Sequence, residues 1–289
     1  MPFLLIKGVF RAKGAQPDGD SVRFKPDTVA DWDLVGGETP VKRNASGAAQ
    51  LRLDGIDSLE THYTPLHGTR MHQPLPLARA AADELLDWLG FTGVERDAQE
   101  TVTACDQDEV PGFILTRSAD LYGRCIAIAG RGEAPAASGS QVFVDPELLR
   151  TTLNQHQLSI GLAYPTYYRN LFPELRNELS AAVATAIAAK LGVWAVDVTT
   201  SGAIVATETS LTDDLVVLPK LFRRMADYLQ LGAGDLSLAG FPDFLAQAKD
   251  RFFILSTGHS TTGLDAITEV DGNTVRMTHA ATDLVFDEK

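Results

Sequence analysis

Asp-Gly turns set between short extended runs constrain this chain more than any other feature. Phe3 to Phe10 alternates as a strand, Gly14-Ala15-Gln16-Pro17-Asp18-Gly19-Asp20-Ser21 follows as a turn, and Val22 to Phe24 resumes the extended run. Asp-Gly between two such runs predicts a hairpin, because both residues tolerate positive φ. A loop rich in Gly, Asp, Pro and Asn fills 26 to 48, with Trp32 as its candidate anchor, before a strand at Gln50 to Leu53. Extended stretches recur at Glu100 to Cys105, Gly112 to Thr116 and Leu121 to Ile128.

Helices enter singly among these strands. Pro76 to Leu89 has a proline in its first turn and Gly90 as its stop; Asp145 caps a second helix through Asn154, and a third runs from Phe172 to Leu191. Five short strands interrupted by helices predict a mostly β fold with added α, a five-stranded OB-type Greek-key barrel.

Past Trp194 the character changes. Thr199-Thr200-Ser201-Gly202 reads as a linker, Asp213 to Leu229 as an amphipathic helix with Leu215, Leu218, Phe222, Met225 and Leu229 on its apolar side, and Phe241 to Ala248 as a shorter helix. Ile267 to Val270 and Thr274 to Met277 flank Asp271-Gly272-Asn273 as a hairpin. Two units are therefore expected, a barrel over 1–197 and a small α+β appendage over 198–289. The appendage is acidic, a poor platform for DNA, and is expected to pack on the barrel, recruit a protein partner or build a dimer contact.

The chain has 289 residues, 45% hydrophobic and 22% charged, a globular balance that excludes disorder throughout. No stretch approaches the roughly 18 to 20 apolar residues of a membrane span. Met1 to Lys7 lacks a basic leader and a cleavage site, so no membrane partner and a cytoplasmic location are expected. Two cysteines, Cys105 and Cys125, fit a reducing compartment. The net charge of −13 argues against a general nucleic-acid-binding surface, since phosphate binding relies on clustered Lys and Arg.

Against that charge stand three clusters: Asp18-Gly19-Asp20-Ser21, then Arg52-Leu53-Asp54-Gly55-Ile56-Asp57-Ser58-Leu59-Glu60, then Tyr122-Gly123-Arg124. Hydrolysis of a phosphodiester requires a cation on the phosphate, a base for water and donors for the developing charge. Carboxylates are hard oxygen ligands suited to Ca²⁺, and a guanidinium donates twice to phosphate oxygens. Taken singly, each cluster is also an ordinary solvated turn. Other chemistries find less: His62, His67 and His72 share a loop without clean ligand spacing, and the segment Ser256 to Ser260 lacks Gly-x-Ser-x-Gly.

In order and context the three clusters resemble the staphylococcal nuclease, or thermonuclease, family over most of residues 1 to 197. Its hallmark is Asp-Gly-Asp-Thr in a hairpin turn, Arg followed by Asp-Thr-Pro-Glu after a strand, and Tyr-Gly-Arg opening another strand. Leu148-Leu149-Arg150, Gly161-Leu162-Ala163-Tyr164 and Gly192-Val193-Trp194 extend the match. The resemblance implies that Asp20, Asp57 and the carbonyl of Ser58 bind calcium, that Glu60 serves as general base or orients the attacking water, and that Arg52 and Arg124 hold the scissile phosphate. It implies that Tyr122 and Tyr164 line the nucleotide pocket, and that cleavage leaves 3′-phosphates.

Departures are Ser21 and Ser58 for threonine, Leu59 for proline, and Leu121 where a lysine contacts phosphate. Magnesium or manganese also suits carboxylate ligands. With an acidic surface, the expected activity is slow, salt-sensitive cleavage of single-stranded DNA or RNA. The alternative is a catalytically weak binding or scaffold module of the same fold, acting through residues 198–289.

Overall fold

The computed structural model describes residues 2–207, 209–232 and 235–287. Strands β1 (Phe3–Arg11), β2 (Arg23–Pro26), β3 (Ala49–Leu53) and the short β4 (Gly55–Asp57) precede helix α1 (Leu75–Leu89). A ribbon of β5 (Glu95–Arg96) and β6 (Val102–Ala104) leads into β7 (Val110–Ala119), β8 (Cys125–Arg131) and β9 (Gln141–Val142). Next come α2 (Pro146–Leu149), α3 (Leu153–Ser159), β10 (Tyr164–Tyr168) and α4 (Pro173–Ala188). The remainder holds β11 (Ala203–Ile204), α5 (Pro219–Leu231), α6 (Phe241–Ala248), β12 (Arg251–Ile254), β13 (His259–Thr262), β14 (Thr268–Asp271), β15 (Thr274–Met277) and β16 (Leu284–Phe286).

Five of these strands close a barrel of the OB type within a mixed α/β protein. The order is β2-β3-β8-β7-β1, and β2 returns to pair with β1. Neighbours are antiparallel except β3 and β8, which run parallel with Leu51 opposite Cys125. Missing side chains make room inside the wall. Gly8 and Gly112 face each other across β1 and β7, and a Cβ on Gly112 would lie 2.5 Å from the ring of Phe10. Phe10 fills that space and meets Phe24 edge to face at 5.1 Å inside the barrel.

The helices follow the sequence signals at most ends and depart from them for local reasons. Gly90 closes α1 in the left-handed conformation. The helix expected from Asp145 to Asn154 is split, because Thr152 leaves the helical conformation to cap α3. The helix expected from Asp213 begins instead at Pro219, whose ring holds Leu218 extended. Trp32 does anchor the long loop, donating from Nε1 to the Gly47 carbonyl at 2.9 Å. Cys105 and Cys125 are both free thiols.

A second sheet joins the two ends of the chain in the order β13-β12-β16-β10-β4. Tyr164 of β10 lies opposite Asp57 of β4, and Tyr167 lies opposite Val285 of β16, which runs parallel to β10. Strands on both sides of residue 197 thus share one sheet. They also share one apolar cluster, in which Leu59, Tyr164 and Val193 pack with Leu221, Phe222, Met225 and Phe252. Among the described residues no helix is long and apolar enough to cross a membrane.

Candidate functional site

A cleft of about 760 Å³ opens where the barrel meets this second sheet. Asp18, Asp20, Arg52, Asp57, Glu60, Tyr122 and Arg124 all line it. The three sequence clusters therefore converge, because β3 runs directly into β4 beside the turn after β1, and the β7–β8 hairpin stands across from them.

Close packing fixes the first turn. A Cβ on Gly19 would lie 2.5 Å from the Cβ of Ala81 and 2.7 Å from that of Ser58, so only glycine lets the turn lie against α1. Asp20 Oδ2 accepts from the Ser58 amide at 3.2 Å, which joins the first cluster to the second.

The acids strain against one another. Burial, with the charges of Asp18 and Asp57, holds Asp20 well above the usual carboxylate range. Burial and Glu60 raise Asp18 as well, and its Oδ1 is buried without a hydrogen-bond partner among the described residues. Glu60 is pushed up to about 7, by burial first and by Asp57 and Asp20 next, against the opposing pull of Arg223.

Asp57 is different. Burial raises it, but Arg223 and then Arg52 more than offset that, and its carboxyl stays below the ordinary value. Arg223, from α5, donates from Nη2 to Asp57 Oδ2 at 2.6 Å and from Nη1 to Asp57 Oδ1 at 3.1 Å. The same Nη1 donates to Glu60 Oε1 at 2.5 Å.

Arg52 stacks on the ring of Tyr168, its guanidinium carbon 4.4 Å from the ring centre. Burial disfavours the charge of Arg52, while Tyr168, Asp57 and Asp20 favour it more strongly. Arg124 is held from behind: its Nε donates to Asp120 Oδ2 at 2.7 Å, and its amide donates to Asp120 Oδ1 at 2.9 Å. Tyr122, 78% exposed beside it, is free to meet a ligand at the rim.

Two expected residues do not line the cleft. Tyr164 is 1% exposed and does not line the cleft; its hydroxyl donates to Asp197 Oδ1 at 2.7 Å and its ring meets Trp194 edge to face. A nucleotide contact from Tyr164 is corrected accordingly, since β4 and the second core cover it. Ser58 is 2% exposed and touches the site through its amide on Asp20.

Sequence reading missed Tyr168, Lys220 and Arg223, which also line the cleft. The available signal was the basic trio Lys220, Arg223 and Arg224, spaced i, i+3, i+4 on one face of a helix in an otherwise acidic segment.

The resemblance to the nuclease family brings with it a divalent cation. The donor set does not fit one as it stands: both oxygens of Asp57 and one of Glu60 are engaged by Arg223. Among the described residues no three His, Cys, Asp or Glu side chains come together in a way that could hold a metal.

Fold and cleft define a class, an OB-type barrel within a mixed α/β protein that carries acids and arginines in one cleft. No protein-family model matches the chain, and no curated protein matches it.

Proposed function

We propose that the cleft binds and hydrolyses the phosphodiester backbone of nucleic acid, DNA or RNA, with single strands preferred. The observation that carries this reading is the convergence of Arg52, Glu60 and Arg124, from separate parts of the sequence, on one cleft with Asp20 and Asp57. Arg52 and Arg124 face the non-bridging oxygens of the phosphate, where planar guanidiniums stabilise the charge of the pentacoordinate state. Arg223 bonds Oε1 of Glu60, and a water taken up at Oε2 gives its proton to that carboxylate as it attacks phosphorus. Rupture of the bond from phosphorus to the 5′-oxygen leaves a 3′-phosphate, and the departing alkoxide takes its proton from solvent.

The surface charge bears on substrate as well. Six of the chain's 25 lysines and arginines line this one cleft together with seven acids, so attraction for phosphate rests on Arg52 and Arg124 while the rest of the surface repels it. A duplex cannot bring a stacked backbone deep into such a cleft without meeting that surface. A second reading, a catalytically weak binding module, is favoured by Arg223, whose hold on Glu60 competes with the water.

The test is cleavage of labelled single-stranded DNA and RNA by wild type, Glu60→Gln and Arg52→Ala, each with Ca²⁺ and with EDTA, alongside fluorescence anisotropy of the same strands. Cleavage lost in both variants supports the enzyme. Binding without cleavage by wild type supports the module, and neither binding nor cleavage sinks both readings.

A further inference from the structure

Arg223 brings positive charge to the point where the acids of the cleft meet, and a rigid element delivers it. Its neighbours in α5, Leu221, Phe222, Met225 and Ala226, are at most 1% exposed in the second core. The backbone of Arg223 is thus fixed by packing. Its fork engages both oxygens of Asp57 and bridges to Glu60, the bidentate geometry that guanidinium shares with carboxylate. A calcium ion on those oxygens would sit at roughly 2.3–2.6 Å from them. It would then face the guanidinium across shared ligands, so ion and side chain exclude each other.

We propose that Arg223 is the resident cation of this cleft: it stands in place of a divalent ion between Asp57 and Glu60, and its removal turns the cleft into a divalent-cation site. The ligands left behind are the Asp57 and Glu60 pair, with Asp20 and Asp18 lining the same cleft; these acids form no three-ligand group as they stand among the described residues, so the site assembles as their side chains turn to the ion. The inference rests on the ion-pair geometry and not on phosphodiester hydrolysis. It also accounts for a cleft that resembles a calcium-dependent site in sequence and yet has a guanidinium on both oxygens of Asp57.

The experiment titrates the full chain with Mn²⁺ alone, following free ion by electron paramagnetic resonance, and follows thermal unfolding with and without Ca²⁺. Wild type is compared with Arg223→Ala and with the double variant Arg223→Ala, Asp57→Asn. Arg223→Ala should bind Mn²⁺ at least about tenfold more tightly than wild type, within the roughly 5–150-fold range of coupled sites. The gain should vanish in the double variant, and Ca²⁺ should raise the melting temperature of Arg223→Ala and not that of wild type. Equal Mn²⁺ affinity in folded wild type and folded Arg223→Ala overturns the proposal. Should Arg223→Ala not fold, the wild-type titration decides: micromolar Mn²⁺ binding weakened by Asp57→Asn overturns the proposal, and its absence upholds it. Nucleic-acid cleavage is not read in any arm, so a failed phosphodiesterase assay leaves this inference standing.

Discussion

Gln157 donates its side-chain amide to the carbonyl oxygen of Gly19 at 3.0 Å, and the same nitrogen donates to the carbonyl of Ala81 at 2.9 Å. One buried amide in α3 therefore ties the turn that carries Asp18 and Asp20 to helix α1. The position of two acids in the cleft is set from behind, by helix packing.

Substitution at this tie should loosen the cleft without touching a charged group. Gly19→Ala places a methyl within 3.0 Å of both Ala81 and Ser58 and is expected to cost about 1–3 kcal/mol of overpacking. Gln157→Leu leaves the Gly19 carbonyl without this donor, at about 1–3 kcal/mol. Urea denaturation of both variants measures these losses; a change under half a kcal/mol in either would refute the proposed tie.

The Arg223 pair should weigh on stability with a particular non-additivity. Arg223→Met strands Asp57 and Glu60 in a buried site and is expected to destabilise the fold by about 3–5 kcal/mol in EDTA. Adding Asp57→Asn and Glu60→Gln to Arg223→Met should recover most of that loss, because the uncompensated charges are gone. Denaturant unfolding of the single and triple variants decides the matter, and additive losses would count against a buried, coupled group.

Glu60 makes stability fall as pH rises. Its folded carboxyl holds a proton up to about 7, above the ordinary value of 4.5, so the folded state binds more protons than the unfolded state between those values. The contribution is fully present below about 4.5 and is lost as pH rises through about 7, on the order of 3 kcal/mol in all. Wild type minus Glu60→Gln, measured by urea unfolding from pH 4.5 to 8, should show that downward slope; a rising or flat difference would contradict it.

A chain ending at residue 197 should not retain a native fold. It loses β16, β12 and β13 from the second sheet and uncovers Leu59, Tyr164 and Val193. The edge of β10 that pairs with β16 becomes a template for association. Size-exclusion chromatography and near-UV dichroism are expected to report aggregation and loss of fixed aromatic packing, and a monomer with the native near-UV spectrum would be the contrary result.

The barrel was legible because its signals are local. Alternation in β1, the Asp-Gly turn, and α1 with its terminal glycine all act over a few residues, and the helices and the hairpin of β14 and β15 appear close to where periodicity placed them. The three clusters were legible as chemistry for the same reason, since each is contiguous. Arg223 was not, because its meaning lies in a contact with Asp57 across the whole fold. Tyr164 misled for the converse reason: the sequence match was local, while its burial comes from β4 and from residues near Phe222, which no motif in its neighbourhood announces. The start of α5 lies later than apolar spacing through Leu215 and Leu218 implies, because Pro219 keeps Leu218 out of the helical conformation.

Because β16 lies between β12 and β10, and runs parallel to β10, the second sheet cannot be assembled in the order in which it is synthesised. A ribosome that has released the barrel strands still holds the piece that seals β10, so Tyr164, Leu59 and the carboxylate of Asp57 wait without their cover. Pairing over so long a separation is slow, and a nascent strand edge left open meanwhile is a hazard. Closure of this sheet is therefore a late folding step, because β10 and β16 stand far apart in sequence.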